Sequence, residues 1–462
     1  MTATVPVLGD SVPVPEAGSA SAAGWPSARG AYYTAFMLAL AVAFAEIDRT
    51  AMQLLVKPIK DTYHLSDSSM GFLLGPAFAL LYAALGLTTA WLIDFYNRKS
   101  VLAIALALWS AASVFCGLAQ NFVQITIARL FLGAAESPNG PAIFSILADS
   151  FPRRRLTRGI ALMQLGITLG TGFSLIMTGV LITILMTSLP QIHLPGIGVI
   201  RWWQLVFIAI GVPGLIVAAV LALTVKEPAR QGPGAQTKVG MGQALAYMAQ
   251  HWKVFAPFMG SSAIGGLAFG VLTWTAAFYQ RTYGWSGGQY GIRYGLLSLI
   301  ATPVGLFLGA WVYERFVSQG RNDAAMRVVV VGRLIGLPAM ILMPLMPNGW
   351  LALAMSAVNL MVLGGTGACT NSILQIISPN RMRGQITAIF FLFYNLIGQG
   401  LSPWFIGLFT QFVLKDESHL RYALLVVNVL FMPASLFVLW LGMKPYAREV
   451  AAIAAAETQA AA

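Results

Sequence analysis

The sequence predicts an all-α membrane protein of twelve transmembrane helices in two pseudo-symmetric six-helix bundles. Three observations predict it: the composition, the length of the apolar runs and an internal repeat. Hydrophobic residues occupy 58% of the 462 positions and charged residues only 10%, with a mean hydropathy of +0.74. Soluble domains run at about 45–50% apolar and about 25% charged, so a water-soluble fold could not cover its surface with so few charges. The apolar residues come in long blocks, such as 31–47, 71–93 and 422–441. A helix needs about 20 apolar residues to cross the hydrocarbon core, and these blocks approach or reach that size.

The elements follow in order. Residues 1–30 are rich in Ala, Ser, Pro and Gly and lack the basic n-region of a signal peptide, which reads as a disordered cytoplasmic tail. Spans are expected at 31–57, 69–93, 100–118, 122–150, 159–186 and 202–225, making an N-terminal bundle over 31–225. The polar stretch 226–253 reads as a cytoplasmic linker. Spans at 254–281, 288–314, 326–346, 350–378, 384–413 and 420–442 make a C-terminal bundle over 254–442. Residues 443–462 read as a cytoplasmic tail, its Ala-rich end as disordered as the N-terminus. Runs longer than 25 residues imply tilt.

The Lys/Arg bias of short loops sets orientation. With the N-terminus inside, eighteen basic residues fall on the cytoplasmic side, among them Arg98, Lys99, Arg153, Arg154, Arg155 and Arg158. Seven fall outside: Lys57, Lys60, Arg201, Arg281, Arg293, Lys415 and Arg421. Both termini are therefore expected in the cytoplasm, in a bacterial inner membrane. The net charge of +12 is spread over these loops rather than set in the aromatic-rich patches that bind nucleic acid. No nucleic acid partner follows. Cys116 and Cys369 sit inside apolar runs and the four histidines are scattered, so neither a disulfide, a metal nor a cofactor is expected. No His/Asp or Cys/His constellation and no phosphate-cradling glycine loop is present, which argues against an enzyme.

The halves echo each other. Ala90-Trp91-Leu92-Ile93-Asp94 closes the second span and Ala310-Trp311-Val312-Tyr313-Glu314 the eighth. Pro152 to Gly159 after the fourth span resembles Pro379 to Gly384 after the tenth. Asp94-Phe95-Tyr96-Asn97-Arg98-Lys99 is similar to the loop between spans two and three of the major facilitator superfamily, with Ala90 for its glycine and Phe95 for its arginine. Arg129-Leu-Phe-Leu-Gly133 resembles that superfamily's span-four motif. The resemblance covers 31–442 and implies parallel six-helix repeats with a midplane site between them. It also implies a cytoplasmic gate at Asp94, Arg98, Lys99, Asp149, Glu314 and Arg315. Within the superfamily, Glu46-Ile-Asp48-Arg49, Gly133-Ala-Ala-Glu136 and Asn395-Leu-Ile-Gly398 resemble the spinster-like branch, whose members are proton-linked carriers of lysophospholipids and sphingoid phosphates. The organic-anion symporter branch shares the Asp-Arg pair and the span-four Glu, and implies a small carboxylate or sugar acid instead. A membrane sensor or enzyme without transport is the remaining reading.

Six ionisable residues lie inside the spans: Glu46, Asp48, Arg49, Arg129, Glu136 and Arg333. Intramembrane charges are costly and face a partner or a wet cavity. Arg129 and Glu136 are seven residues apart on one face, about 10 Å along the axis, and Asp48 and Arg49 fall at a depth between them. An Arg129–Asp48 and Arg49–Glu136 ladder between spans one and four would satisfy all four charges. Desolvation favours the neutral form of a carboxyl and a nearby guanidinium its ionised form, so Asp48 and Glu136, with Glu46 beside them, are the expected proton carriers. Arg49 and Arg129 suit either the counter-ion that switches these carboxyls or a clamp on a substrate carboxylate or phosphate, and are expected to bind substrate. The same four charges would also serve as a static cluster fixing helix packing. Asn395, Gln399 and Ser402 share a face on span eleven, and Gln164 and Thr168 one on span five; Asn395, Gln399 and Gln164 are expected to line the site. Tyr82, Trp274 and Phe391 are candidates for an apolar wall. Arg333 has no evident acidic partner in its half. The expected partners are protons, the lipid bilayer and a small or lipid-like organic anion, carried by a monomer.

Overall fold

The computed structural model describes residues 25–196, 198–230, 241–379 and 382–461. The first half runs α1 (Ala28–Leu54), α2 (Val56–Tyr63), α3 (Asp67–Leu74), α4 (Pro76–Phe95), α5 (Arg98–Leu118), α6 (Phe122–Glu136), α7 (Asn139–Ser150), α8 (Arg153–Ser188) and α9 (Trp202–Thr224). The second runs α10 (Met241–Gln250), α11 (Trp252–Leu267), α12 (Phe269–Tyr283), α13 (Gly287–Ser318), α14 (Ala324–Leu342), α15 (Gly349–Ile377), α16 (Arg383–Tyr394), α17 (Ser402–Leu408) and α18 (Leu420–Ala461). Among the described residues eleven helical stretches are long and apolar enough to cross a membrane, and the α6–α7 pair fills the expected fourth span. The protein is an all-α multi-pass membrane protein. Large apolar side chains on its outer surface, such as Phe307 at 73% exposure and Leu223 at 84%, suit a hydrocarbon solvent.

Local chemistry starts these helices. Ser27 Oγ caps α1 by accepting from Gly30 N–H, and Asn97 Oδ1 caps α5 through Ser100 N–H at 2.9 Å. Ser286 and Gln289 close a reciprocal capping box on α13, which satisfies two amides that would otherwise be orphaned. Several spans are broken where the sequence suggests one rod. Span two divides at Gly75 ahead of Pro76, and span four at Ser137-Pro138, because proline cannot donate to the preceding turn. Span eleven carries two π-helical segments, Asn395–Leu401 and Phe409–Leu414.

One expectation is corrected and two details are added. The Ala-rich C-terminal end is not disordered: α18 continues to Ala461, as its alanine-rich sequence favours. The 226–253 stretch contains the helix α10, and the loop after span five holds a short antiparallel hairpin, β1 (Gln191–Leu194) with β2 (Gly198–Arg201).

Helix α1 packs on α8, α5 on α9, and α6 on both α4 and α5; in the second half α11 packs on α18, and α15 on α13 and α14. The two sets of helices meet along α8 and α13, and along α3–α4 against α17 and the π-helical segment before it. We call the side where α1 begins the near face and the opposite side the far face. Toward the far face the seam is shut. A Cβ on Gly75 would lie 2.1 Å from the Gly400 carbonyl oxygen, and one on Gly407 2.2 Å from that of Asp67, so only glycine permits this backbone contact. Toward the near face Gly86, Gly367 and Gly384 would each carry a Cβ into open space.

A bulky residue at Gly407 should therefore disfavour this state by about 1–3 kcal/mol. Spin labels on the exposed far-face positions His64 and Asp416 should move apart in Gly407→Leu; an unchanged distance distribution would show that the seam is not held by this contact.

Candidate functional site

Helix α1 carries Glu46, Asp48 and Arg49 within one turn, and α6 carries Arg129 and Glu136 on its buried face. The structure joins them by the two cross-helix pairs that the depth argument expects. Arg129 Nη1 donates to Asp48 Oδ2 at 3.1 Å, and Arg49 Nη2 donates to Glu136 Oε1. Arg49 Nη1 also reaches Glu46 Oε1 at 3.2 Å.

The two carboxylates differ in their surroundings. Asp48 is fully buried, and both its oxygens are occupied: Oδ1 accepts from Ser113 Oγ at 2.7 Å on α5, Oδ2 from Arg129. Glu136 is also buried, yet its Oε2 has no hydrogen-bond partner. It terminates α6, where the partial negative charge of the helix end disfavours an anion, and Arg49 offsets that. The ring of Phe78 lies between the two arginines, 5.2 Å from the Arg49 guanidinium and 5.6 Å from that of Arg129. Tyr82 stacks on Phe78 at 5.5 Å. Gly133 makes this possible, because a Cβ there would meet the Phe78 carbonyl oxygen at 2.0 Å. The Arg-x-x-x-Gly spacing thus has a local cause: the glycine admits α4 and the arginine reaches over its ring.

A cavity of about 600 Å³ lies between the halves. Glu46, Arg49, Arg129, Thr50 and Thr171 line it from one side, and Tyr290, Tyr294, Ser298, Asn371 and Gln399 from the other. Asp48 and Glu136 stand behind the arginines and do not line it. Neither do Tyr82 and Asn395; Asn395 Oδ1 instead accepts from Gln399 Nε2 at 3.0 Å and so orients the amide that does. Trp274 is wholly buried, with its indole N–H on the Pro403 carbonyl at 2.9 Å, and is packing rather than wall. Ser402 likewise turns to the backbone of α11 and α12, between Leu267 and Gly270. The side chains of Asp94, Gln164 and Thr168 lie outside the described residues. No group of His, Cys, Asp or Glu able to hold a metal occurs among the described residues.

Among the described residues, the charged groups expected at the near face fall in two places. Arg98 binds Asp149 and, through Nε at 2.7 Å, Glu227. Glu227 Oε2 also accepts from the Lys99 backbone N–H at 2.8 Å. All of these lie in the first half or just after α9. Glu314 and Arg315 are exposed at the end of α13, the Arg315 guanidinium 5.7 Å from the Trp311 ring.

A cross-half latch does exist, at the far face, and sequence reasoning missed it. Asp67 of α3 is fully buried and takes a bidentate clasp from Arg281 of α12, at 2.8 and 2.7 Å. Lys60 joins it, and bridges on to Glu417 at 2.5 Å. Gln280 Nε2 donates to the Leu54 carbonyl at 3.1 Å beside them. In the sequence Lys60 and Arg281 read only as loop charges. Their partners lie up to hundreds of residues away, so no spacing signals them beyond an acid and a base at the ends of neighbouring spans.

The described sequence matches the family described as Major Facilitator Superfamily over residues 38–403. The chain is 24% identical over 428 residues to an MFS-type efflux pump of Mycolicibacterium smegmatis, covering 91% of this chain and 95% of that one. It is 24% identical to a D-galactonate transporter of Escherichia coli, covering 83% and 90%. Its fold is similar to the crystal structure of a bacterial homolog of the human lysosomal transporter Spinster in an inward-facing, unoccupied conformation, with a TM-score of 0.73 at 25% identity over 92% of this chain and 98% of that one.

Replacing one partner of a buried pair leaves an uncompensated charge, at a cost of about 3–5 kcal/mol. Asp48→Asn should lower thermal stability strongly, and adding Arg129→Gln should recover part of the loss. Equal and additive losses in a double-mutant cycle would show that the two side chains do not interact.

Proposed function

The chain belongs to the major facilitator superfamily, and from that premise we propose that it is a proton-coupled secondary active transporter of an organic anion, working by alternating access. The observation that carries the reading is the state of Glu136: one oxygen on Arg49, the other buried with no partner. That free oxygen is where a proton would bind. A neutral Glu136 no longer holds Arg49 as an ion pair, and Arg49 already lines the cavity. The released guanidinium then clamps the carboxylate or phosphate of the substrate. Proton and anion thus favour each other's binding, and the coupling is reciprocal. This linkage favours symport.

Arg129 is the second clamp, and Glu46 a local counter-charge that keeps Arg49 near the cavity in the empty state. Asp48 is a proton site of the same relay that opens only when Ser113 and Arg129 release it; Glu136 takes the proton first. Gln164, Gln399 and Asn395 order the polar side of the site, and Tyr82 holds Phe78 between the arginines. Two units, 31–225 and 254–442, joined by 226–253, rock about the cavity. The far-face ion network of Lys60, Asp67, Arg281 and Glu417 locks one end state. Arg98, Lys99 and Asp149, with Asp94, Glu314 and Arg315, belong to the opposite gate. On the Lys/Arg bias the near face is cytoplasmic, with both termini inside a bacterial inner membrane, and the transporter acts as a monomer. The D-galactonate transporter that this chain is similar to supports an anionic substrate, either a sugar acid or, on the spinster-like motifs, a lysolipid-like amphiphile.

In proteoliposomes with an imposed pH gradient, Glu136→Gln should abolish concentrative uptake of D-galactonate or a lysophospholipid while substrate exchange without a gradient persists. Arg49→Gln should reduce both by about a hundredfold or more, the loss of a charge-assisted pair of roughly 3 kcal/mol. Full gradient-driven accumulation by Glu136→Gln would remove this residue from the coupling.

A further inference from the structure

A second cavity, of about 350 Å³, lies wholly among helices of the second half, and Arg333 of α14 lines it. Its guanidinium is bound only by neutral groups. Nη1 donates to Ser261 Oγ and to Ser435 Oγ, each at 2.7 Å. Those hydroxyls are themselves fixed, each donating to the other residue's carbonyl oxygen, at 2.8 and 2.7 Å. Among the described residues Arg333 has no carboxylate partner, and its Nε and Nη2 make no hydrogen bond. A full positive charge at mid-helix, inside a span, is costly without a counter-ion. The two serines hold the fork in place but leave its charge unanswered.

The rest of the wall says what the counter-ion is attached to. Met340, Met432, Leu363 and Phe391 line the same cavity, an apolar surface with methionines that adapt to flexible chains. Asn359 lines it too, and its buried Oδ1 has no partner, an acceptor for a hydroxyl next to a head group. Tyr294 and Asn371 line both this cavity and the central one, so the two adjoin.

We propose that Arg333 is the head-group residue of a second binding site, which takes a single-chain amphiphilic anion: the anionic head on the guanidinium and the chain along the methionine and phenylalanine wall. This rests on the reading of the chain as an organic-anion carrier and names the class of anion. A sugar acid has no chain to fill this wall, so the amphiphile is the favoured class.

The test is equilibrium binding to the full chain in phosphatidylcholine nanodiscs, with no gradient. Failure of proton coupling leaves this measurement untouched, and failure of this site leaves the gradient dependence of uptake untouched. The probe is octyl phosphate, with octyl glucoside as the uncharged chain and D-galactonate as the chainless anion. Octyl phosphate should bind above empty nanodiscs and more tightly than either. Arg333→Gln should weaken it by about tenfold or more, the scale of one lost charge-assisted contact, and Arg333→Lys should retain most of it. Should Arg333→Gln fail to fold, Asn359→Asp puts a competing carboxylate into the cavity and should weaken octyl phosphate by a similar factor. Equal binding of octyl glucoside, tighter binding of D-galactonate, or unchanged affinity for octyl phosphate in either variant would overturn the proposal.

Discussion

The structure depends on the pairing of charges from the first and fourth spans inside the hydrocarbon layer. Water is absent there, so each ionised group must find its opposite or remain a large penalty. Arg129 and Asp48 meet the requirement completely, with Ser113 taking the remaining carboxylate oxygen. Arg49 and Glu136 meet it incompletely, with one glutamate oxygen left over. The ring of Phe78 lies between the pairs. One pair is therefore complete and its neighbour open, which is the geometry the proposed exchange of a proton and an anion at Glu136 and Arg49 requires.

That chemistry is useful to a transporter only if the halves can change their relation, and the seam is made for this. Its closed side combines glycine against backbone, a small buried ion network and apolar packing such as Phe72 against Trp404. The glycine contacts are tight, with Gly75 against Gly400 and Gly407 against Asp67. The network around Asp67 is likewise satisfied across the seam, so parting the halves has to be repaid by contacts made elsewhere. The breaks at Gly75, Ser137-Pro138 and the π-helical stretch before α17 interrupt spans two, four and eleven inside the membrane. Backbone irregularity at such depth is tolerated where protein or a wet cavity covers it.

Much of this was legible in the sequence. Hydropathy marks the spans because a bilayer demands unbroken apolar length, and the depth of four charges on two helices foretells which pairs form. The rest was not legible for physical reasons. The far-face network joins residues as distant as Lys60 and Glu417, and only folding brings them together. Glu227 reads as a polar linker residue until α9 returns it to Arg98. Trp274 and Ser402 look like cavity residues on a helical projection, but their polar atoms answer neighbouring backbone. The C-terminal residues look unstructured by composition, whereas alanine is the strongest helix former and α18 extends through them.

The central claim is that Glu136 exchanges its bond to Arg49 for a proton. Difference infrared spectroscopy of the reconstituted chain on acidification tests it most directly, because a protonated carboxyl has a carbonyl stretch that a carboxylate lacks. The account predicts a band of this kind that disappears in Glu136→Gln and grows when substrate occupies the cavity. A spectrum with no such band, or one unchanged by that substitution, would contradict it.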